Sequence, residues 1–212
     1  MSSLDPLQTR IRAVLFDVYG TLVHIQNPKS PYRQLLKVAR ERQPISKEQS
    51  ARDIMCRAFG LTEAAGYYGV ELSAIQQRRL ELDLDEEIRS LRLYPEVSEV
   101  LRTLRARGYR IGLCSNLALP YVQPVAHLLE GMFDVAIWSC GVGAIKPDPE
   151  MYAMATQRLG FEPAAVLMVG DNYQADVEGS RLAGLRALHL NRQNGRGDLR
   201  SLEGLLDHLT CA

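Results

Sequence analysis

The sequence predicts an α/β fold: a parallel sheet covered by helices on both faces, with a helical insertion after the first strand. Three observations carry that prediction. Short apolar runs alternate with amphipathic stretches from Leu93 onward, the pattern of strands joined by crossover helices. Gly108, Gly160 and Gly184 stand just past three of those amphipathic stretches, where a helix end favours glycine. Between about Asn27 and Leu93 no convincing strand is legible, and Pro28, Pro31, Pro44 and Pro95 punctuate a series of helical patterns.

In chain order, Ala13–Phe16 is an unbroken apolar run and reads as the first strand. The insertion then carries a helix over Tyr32–Glu41 and a second from Ser46, where Gln49 three residues on completes a capping box. A third helix runs over Glu71–Arg92. After it come a helix at Glu96–Arg107, a strand at Tyr109–Cys114, a helix at Pro120–Glu130 and a strand at Val135–Trp138. Next are a helix at Pro149–Leu159, a strand at Val166–Val169, a helix at Ala175–Ala183 and a strand at Leu185–Leu190. Arg192–Gly197 is a loop before a last helix ending near Leu209. The expected division is a core of residues 1–26 and 94–212 and a cap of residues 27–93 lying over the sheet's carboxyl edge.

At 212 residues, with 46% hydrophobic and 24% charged, the chain is long enough and balanced enough for a soluble globular protein. Basic and acidic residues number 25 each, so the net charge is zero. That argues against nucleic acid or a membrane surface as main partner, since both call for a basic excess. No apolar run approaches the roughly 20 residues of a membrane span, and Met1–Pro6 lacks a basic-then-apolar export signal. Cys56, Cys114, Cys140 and Cys211 form no CxxC pair, which suits free thiols in a reducing cytosol and a cytoplasmic protein. His24, His127, His189 and His208 lack zinc-ligand neighbours.

The chemistry gathers at the predicted strand ends, where ligands bind in open α/β sheets. Asp17 closes the first strand, Gly20 lets the backbone turn, and Thr21 offers a hydroxyl. Ser115-Asn116 ends the second core strand, Lys146 stands in the loop Gly143–Asp148, and Gly170-Asp171 ends a later strand with Asp176 five residues on. Singly, each has a plain structural explanation as a turn former, a solvated charge or a helix residue. Together they make a carboxylate nucleophile, hydroxyls, an ammonium and two further carboxylates on one edge. Several acids beside one Lys repel one another unless a cation is bound. Oxygen-only ligands with a phosphate substrate point to Mg²⁺.

The stretches Asp17-Val-Tyr-Gly-Thr-Leu22, Ser115-Asn116, Lys146-Pro147-Asp148-Pro149 and Gly170-Asp171…Asp176 resemble, in order, the four motifs of the haloacid dehalogenase-like hydrolase superfamily. The resemblance covers about residues 11 to 191. It implies a Rossmann-like, doubly wound core with a helical cap after the first motif. It implies Asp17 as nucleophile, Thr21, Ser115, Asn116 and Lys146 around the transferred group, and Asp176 as the residue that orients the site. It also implies Asp17, Asp171 and the Tyr19 backbone carbonyl as Mg²⁺ ligands.

Tyr19 departs from the phosphatase pattern, which has a second Asp there as general acid and base. A Tyr at that position resembles the 2-haloacid dehalogenases, which displace halide from carbon with the Asp and need no metal. Tyr152 and the ending Leu190-Asn191-Arg192 also suit that group. Asp171 stands where dehalogenases have serines, and an acidic pair with Asp17 favours a metal and a phosphate. The leading expectation is therefore a Mg²⁺-dependent phosphatase acting on a small phosphorylated molecule. The alternatives are a 2-haloacid dehalogenase, and a binding or regulatory protein with this fold and little turnover.

Overall fold

The computed structural model describes residues 10–42, 44–193 and 195–209. Met1–Pro6 and the Cys211 thiol lie outside the described residues. The chain runs through β1 (Ala13–Phe16), β2 (Val23–Ile25), α1 (Pro31–Arg42), α2 (Lys47–Cys56), α3 (Leu61–Tyr67), α4 (Ala74–Arg89) and β3 (Leu91–Leu93). It continues with α5 (Val97–Ala106), β4 (Arg110–Ser115), α6 (Val122–Leu128), β5 (Val135–Trp138), α7 (Ser139–Val142) and α8 (Pro149–Leu159). The last elements are β6 (Val166–Gly170), a π-helical turn at Tyr173–Glu178 leading into α9 (Gly179–Leu182), β7 (Arg186–His189) and α10 (Leu205–His208).

Five strands form a parallel sheet in the order β5-β4-β1-β6-β7. The connections run outward from β1 in both directions, so the topological switch point lies at the carboxyl end of β1. The central strands β1 and β6 are apolar and fully buried because both faces are covered. Within β1, Val14 and Phe16 join one core cluster while Ala13 and Leu15 join the other, the period-two alternation of a pleated strand. The first cluster is closed by Val97, Val100, Leu101 and Leu104 of α5, spaced to share one helix face. Met151, Tyr152, Ala155 and Leu159 of α8 close the second. Gly108, Gly160 and Gly184 have φ of 83°, 76° and 85°, the left-handed cap expected past each helix.

The stretch between β2 and β3 is helical, but four details depart from the sequence reading. Leu91–Leu93 forms a strand, pairing antiparallel with Val23–Ile25 to make a two-stranded ribbon at the neck of the insertion. Helix α3 is additional. The expected 71–92 helix starts only at Ala74, because Ser73 and Gln76 form a full capping box there. At Ser46 the box is only half made: the Ser hydroxyl accepts from the Gln49 N–H at 3.0 Å, but the Gln49 amide turns to Asp53 instead. The four helices bury a cluster of their own, with Tyr32, Leu35 and Leu36 of α1, Ile54 of α2, Leu61 of α3 and Leu80 of α4. No helix among the described residues is long and apolar enough to cross a membrane.

Glu87 of α4 is buried among polar partners. One carboxylate oxygen accepts the backbone N–H of Lys29 at 2.7 Å and of Ser30 at 2.5 Å, and the other accepts the Tyr121 hydroxyl at 3.0 Å. Ser30 is the non-glycine residue with positive φ, 54°. A buried carboxylate thus holds an uncommon backbone turn and ties it to the core. Glu87→Ala should lower the unfolding free energy by about 3 kcal/mol, because two N–H groups and a hydroxyl lose their acceptor. Glu87→Gln, which keeps one acceptor oxygen, should cost about half as much. Urea denaturation of the two variants measures both.

Candidate functional site

The site grows from the switch point. Asp17 follows β1 directly, and its N–H donates to the Val169 carbonyl at 3.0 Å, which locks it to the neighbouring strand end. The backbone then reverses at Gly20, whose φ is 84°. A Cβ on Gly20 would stand 2.2 Å from a carboxylate oxygen of Asp171, so glycine is required by conformation and by space. Gly170 is held to the same standard, since a Cβ there would meet the Asp176 carboxylate at 2.2 Å. The missing side chain at Gly170 therefore lets Asp176 fold back under the end of β6.

Lys146 lies at the centre, 3% exposed. Its Nζ is 2.7 Å from Asp17 Oδ1 and 2.6 Å from Asp176 Oδ1. Its loop is fixed by Asn116, whose side chain accepts from the Lys146 N–H at 2.7 Å and donates to the Lys146 carbonyl at 2.9 Å. Asp176 also accepts from the Asn172 N–H at 2.9 Å, and the Tyr152 hydroxyl donates to the Ala175 carbonyl beside it. Ser115 Oγ donates to Asp17 Oδ1 at 3.3 Å and Thr21 Oγ1 to Oδ2 at 3.5 Å. Asp17, Thr21, Ser115, Lys146, Asp171 and Asp176 are thus brought together. The Asn116 side chain faces the Lys146 backbone, and its residue also borders a neighbouring cavity.

The electrostatics follow from burial. Desolvation pushes the Asp17 carboxyl up to about 7; Lys146 opposes the shift and Asp176 adds to it. Asp171 is likewise raised, by burial first and then by the charge of Asp176. Burial by itself would lower the pKa of the Lys146 ammonium, but Asp17 and Asp176 outweigh it and push it above its usual value. Asp171 is exposed, and its carboxylate forms no ion pair and accepts no hydrogen bond from another residue among the described residues. One carboxylate oxygen each from Asp17, Asp171 and Asp176 lies within 4.8 Å of the others. Those hard oxygen donors fit a small divalent cation such as Mg²⁺. Burial pushes the Cys114 thiol up to about 12, which removes it as a nucleophile.

Tyr19 turns away from this centre. Its ring meets Tyr121 edge-on at 6.1 Å, its hydroxyl is buried without a partner, and Glu87 is the one charge that weighs on it. Arg192 is the residue that sequence reasoning noticed only as a family ending. Its guanidinium donates to the Thr21 carbonyl at 2.8 Å and the Gly20 carbonyl at 3.3 Å, pairs with Glu96 at 2.7 Å, and stacks 3.7 Å over Tyr94. It braces the turn that follows Asp17. No local sequence signal marks it, because its partners lie about 100 and 170 residues away in the chain.

A family model described as haloacid dehalogenase-like hydrolase matches residues 11–184. An N-acetylmuramic acid 6-phosphate phosphatase of Pseudomonas aeruginosa is 27% identical over 186 residues, 84% of this chain and 80% of that protein. A phosphoserine phosphatase of Thermus thermophilus is 39% identical over 109 residues. That match spans half of this chain and 43% of the relative's length. Among solved structures, a 2-haloacid dehalogenase from Pseudomonas syringae has a TM-score of 0.65 at 22% identity, covering 95% of this chain and 99% of the other, a likeness of fold. The chain belongs to the haloacid dehalogenase-like hydrolases, and it is a hydrolase with a parallel α/β core.

Because Arg192 holds two carbonyls of the Asp17 turn and neutralises Glu96, Arg192→Ala should destabilise the protein by about 2–3 kcal/mol. Arg192→Lys should recover only part of that, since an ammonium cannot fork to several acceptors and stack at once. Equilibrium unfolding followed by the fluorescence of the single tryptophan, Trp138, reads both values.

Proposed function

We propose that this protein is a Mg²⁺-dependent phosphatase that cleaves a small phosphate monoester through an aspartyl-phosphate on Asp17. The observation that carries the reading is the unpaired Asp171 carboxylate within 4.8 Å of Asp17 and Asp176, around a buried Lys146. One ammonium cannot balance three carboxylates, so the site has room for a further cation and the dianionic group it would bring. The phosphatase relatives support the same substrate chemistry. Asp17, Asp171 and the Tyr19 carbonyl would hold the ion. Bound there, Mg²⁺ would polarise a phosphoryl oxygen and offset acidic charge.

In this reading an Asp17 carboxylate oxygen attacks phosphorus, the ester P–O bond breaks, and the leaving oxygen is protonated from solvent. Water then attacks the same phosphorus, releasing inorganic phosphate and restoring Asp17. Lys146 offsets the charge of the carboxylate and of the phosphorylated intermediate. Ser115 and Thr21, already on Asp17, turn their hydroxyls to phosphoryl oxygens. Asp176 and Asn116 hold Lys146 in place from its two ends, and Asn116 borders the bound group. Residues 27–93 would act as the cap over residues 1–26 and 94–212, and that cap would choose the substrate. The unpaired state of Cys56, Cys114 and Cys140 supports a reducing, cytoplasmic setting. Zero net charge supports a small molecule over nucleic acid or membrane as partner.

A second reading, 2-haloacid dehalogenation by Asp17 without metal, is favoured by Tyr19, with Tyr152 and the ending Leu190-Asn191-Arg192 also suiting it. The Asp171 carboxylate opposes it, because an anionic haloacid would meet a second uncompensated anion. With p-nitrophenyl phosphate, Asp17→Asn should leave no detectable turnover while folding normally, and Asp171→Ser should lose most activity and most Mg²⁺ affinity. Halide release from chloropropionate in EDTA, with no phosphate release in Mg²⁺, would reverse the order of the two readings.

Tyr19 gives a further expectation. Its hydroxyl lies toward Glu87, and burial, with that charge adding, pushes it above an ordinary phenol, so it is no acid for the leaving group. Rates should fall steeply as leaving-group pKa rises, with aryl phosphates fast and alkyl phosphates slow. Equal single-turnover rates for the two classes would show that another acid serves the leaving oxygen.

A further inference from the structure

Beside the Asp17–Lys146 centre lies a cavity of about 860 Å³, bordered on the core side by Tyr19, Asn116, Leu117 and Tyr121. Asn116, whose side chain is bonded to the Lys146 backbone, and Tyr19, two residues from Asp17, both border it, so the cavity lies next to the reactive centre. Its middle is apolar, with Ile25, Tyr32, Leu36, Ile54 and Met55. Its outer wall is basic. Arg33 and Lys37 are four residues apart on α1 and share one helix face. Lys47 begins α2 and borders the same cavity.

The charge on that wall is uncompensated. Lys29 pairs with Glu86, and Arg40 is tied to Ser50. Arg33, Lys37 and Lys47 make no ion pair and no side-chain hydrogen bond among the described residues. The one carboxylate on the lining, Glu87, already accepts from two backbone N–H groups and Tyr121. Solvated lysines are common on helices, but these three cations converge on one cavity. The lining thus combines residues next to the reactive centre, apolar side chains and cations without an ion pair. The volume lies in the range of pockets that hold substantially larger ligands than a two- or three-carbon acid.

We propose that the cavity selects phosphate monoesters whose organic group is an apolar, extended or aromatic spacer ending in a second anionic group, a carboxylate or further phosphate, bound by Arg33, Lys37 and Lys47. The inference rests on the phosphatase reading for the position of the first phosphate. It excludes simple sugar phosphates as preferred substrates, because a polyhydroxylated spacer would lie unpaired against Leu36, Ile54 and Met55. Arg33 offers a fork for two oxygens and Lys37 and Lys47 point charges, a set suited to a carboxylate or phosphate.

The test uses a matched pair with similar leaving groups: the phosphate ester of p-propylphenol and that of p-hydroxyphenylpropanoate. On the wild-type protein with Mg²⁺ the carboxylate-tipped ester should be favoured in kcat/KM by about tenfold, mostly through KM, as one charge-assisted contact permits. In the double variant Arg33→Ala/Lys37→Ala the ratio should fall to within about twofold, and added salt should shrink it in the wild type. A ratio near one in the wild type, or a ratio unchanged in the variant, would overturn the inference. Binding of the same two esters to Asp17→Asn, by calorimetry, separates the failures. A retained preference without turnover in the wild type sinks the phosphatase reading alone, whereas turnover without preference sinks the anion-tipped substrate class alone.

Discussion

The rest of the site depends on one ammonium shared by two carboxylates in a nearly dry environment. Lys146 bridges Asp17 and Asp176 at 2.7 and 2.6 Å with its side chain 2% exposed. Charges this deeply buried are tolerable only when paired and hydrogen-bonded, because desolvation costs several kcal/mol per ion. The surrounding geometry reads as the conditions for that pairing. Asn116 grips both backbone groups of Lys146, Gly170 leaves space for the Asp176 carboxylate, and Asn172 donates to its second oxygen. Removing the ammonium would leave an acidic cluster with no internal cation, while removing Asp171 would relieve a repulsion. Those opposite consequences separate the group that holds the site together from one that adds to its charge.

The sheet supplies the convergence. With β1 central and connections leaving it in both directions, the ends of β4 and β6 flank the end of β1. Ser115 ends β4 and Gly170 ends β6, so Ser115, Asp17 and Asp171 are neighbours because their strands are. No long-range sequence pairing needs to be invoked. The loop that brings Lys146 follows α7, and Ser139 at the start of α7 binds the Leu117 N–H just beyond β4 at 3.0 Å. Each catalytic candidate is thus tethered within a few residues of a rigid strand.

Much of this was legible in the sequence, and the legible parts share a physical cause. The core strands are buried on both faces, so their apolar runs are unbroken, and β1, β5 and α8 have the bounds that patterning gives. The left-handed glycines mark helix ends by sterics alone. What escaped is short or tertiary. Leu91–Leu93 is a strand because it pairs with Val23–Ile25, not because three residues carry a β signature. Helix α3 has seven residues, too few for a periodic pattern. The 175–183 stretch opens as a π-turn, where Asp176 must turn back toward Lys146 and Asn172. Glu87 and Arg192 look like ordinary surface charges in the chain, since burial by distant segments gives them their roles.

Among the contacts that join the helical insertion to the core, two lead toward the reactive centre. Glu87 of α4 accepts from Tyr121, which meets Tyr19 edge-on two residues from Asp17. Arg52 of α2 grips both carboxylate oxygens of Asp148, at 3.1 and 2.5 Å, two residues from Lys146. Asp148 in turn accepts from the Ile145 N–H at 3.1 Å, closing the loop around Lys146. An exposed salt bridge is ordinarily worth little, but a bidentate guanidinium fixes direction as well as distance. The seating of the insertion and the position of the buried ammonium are therefore mechanically linked.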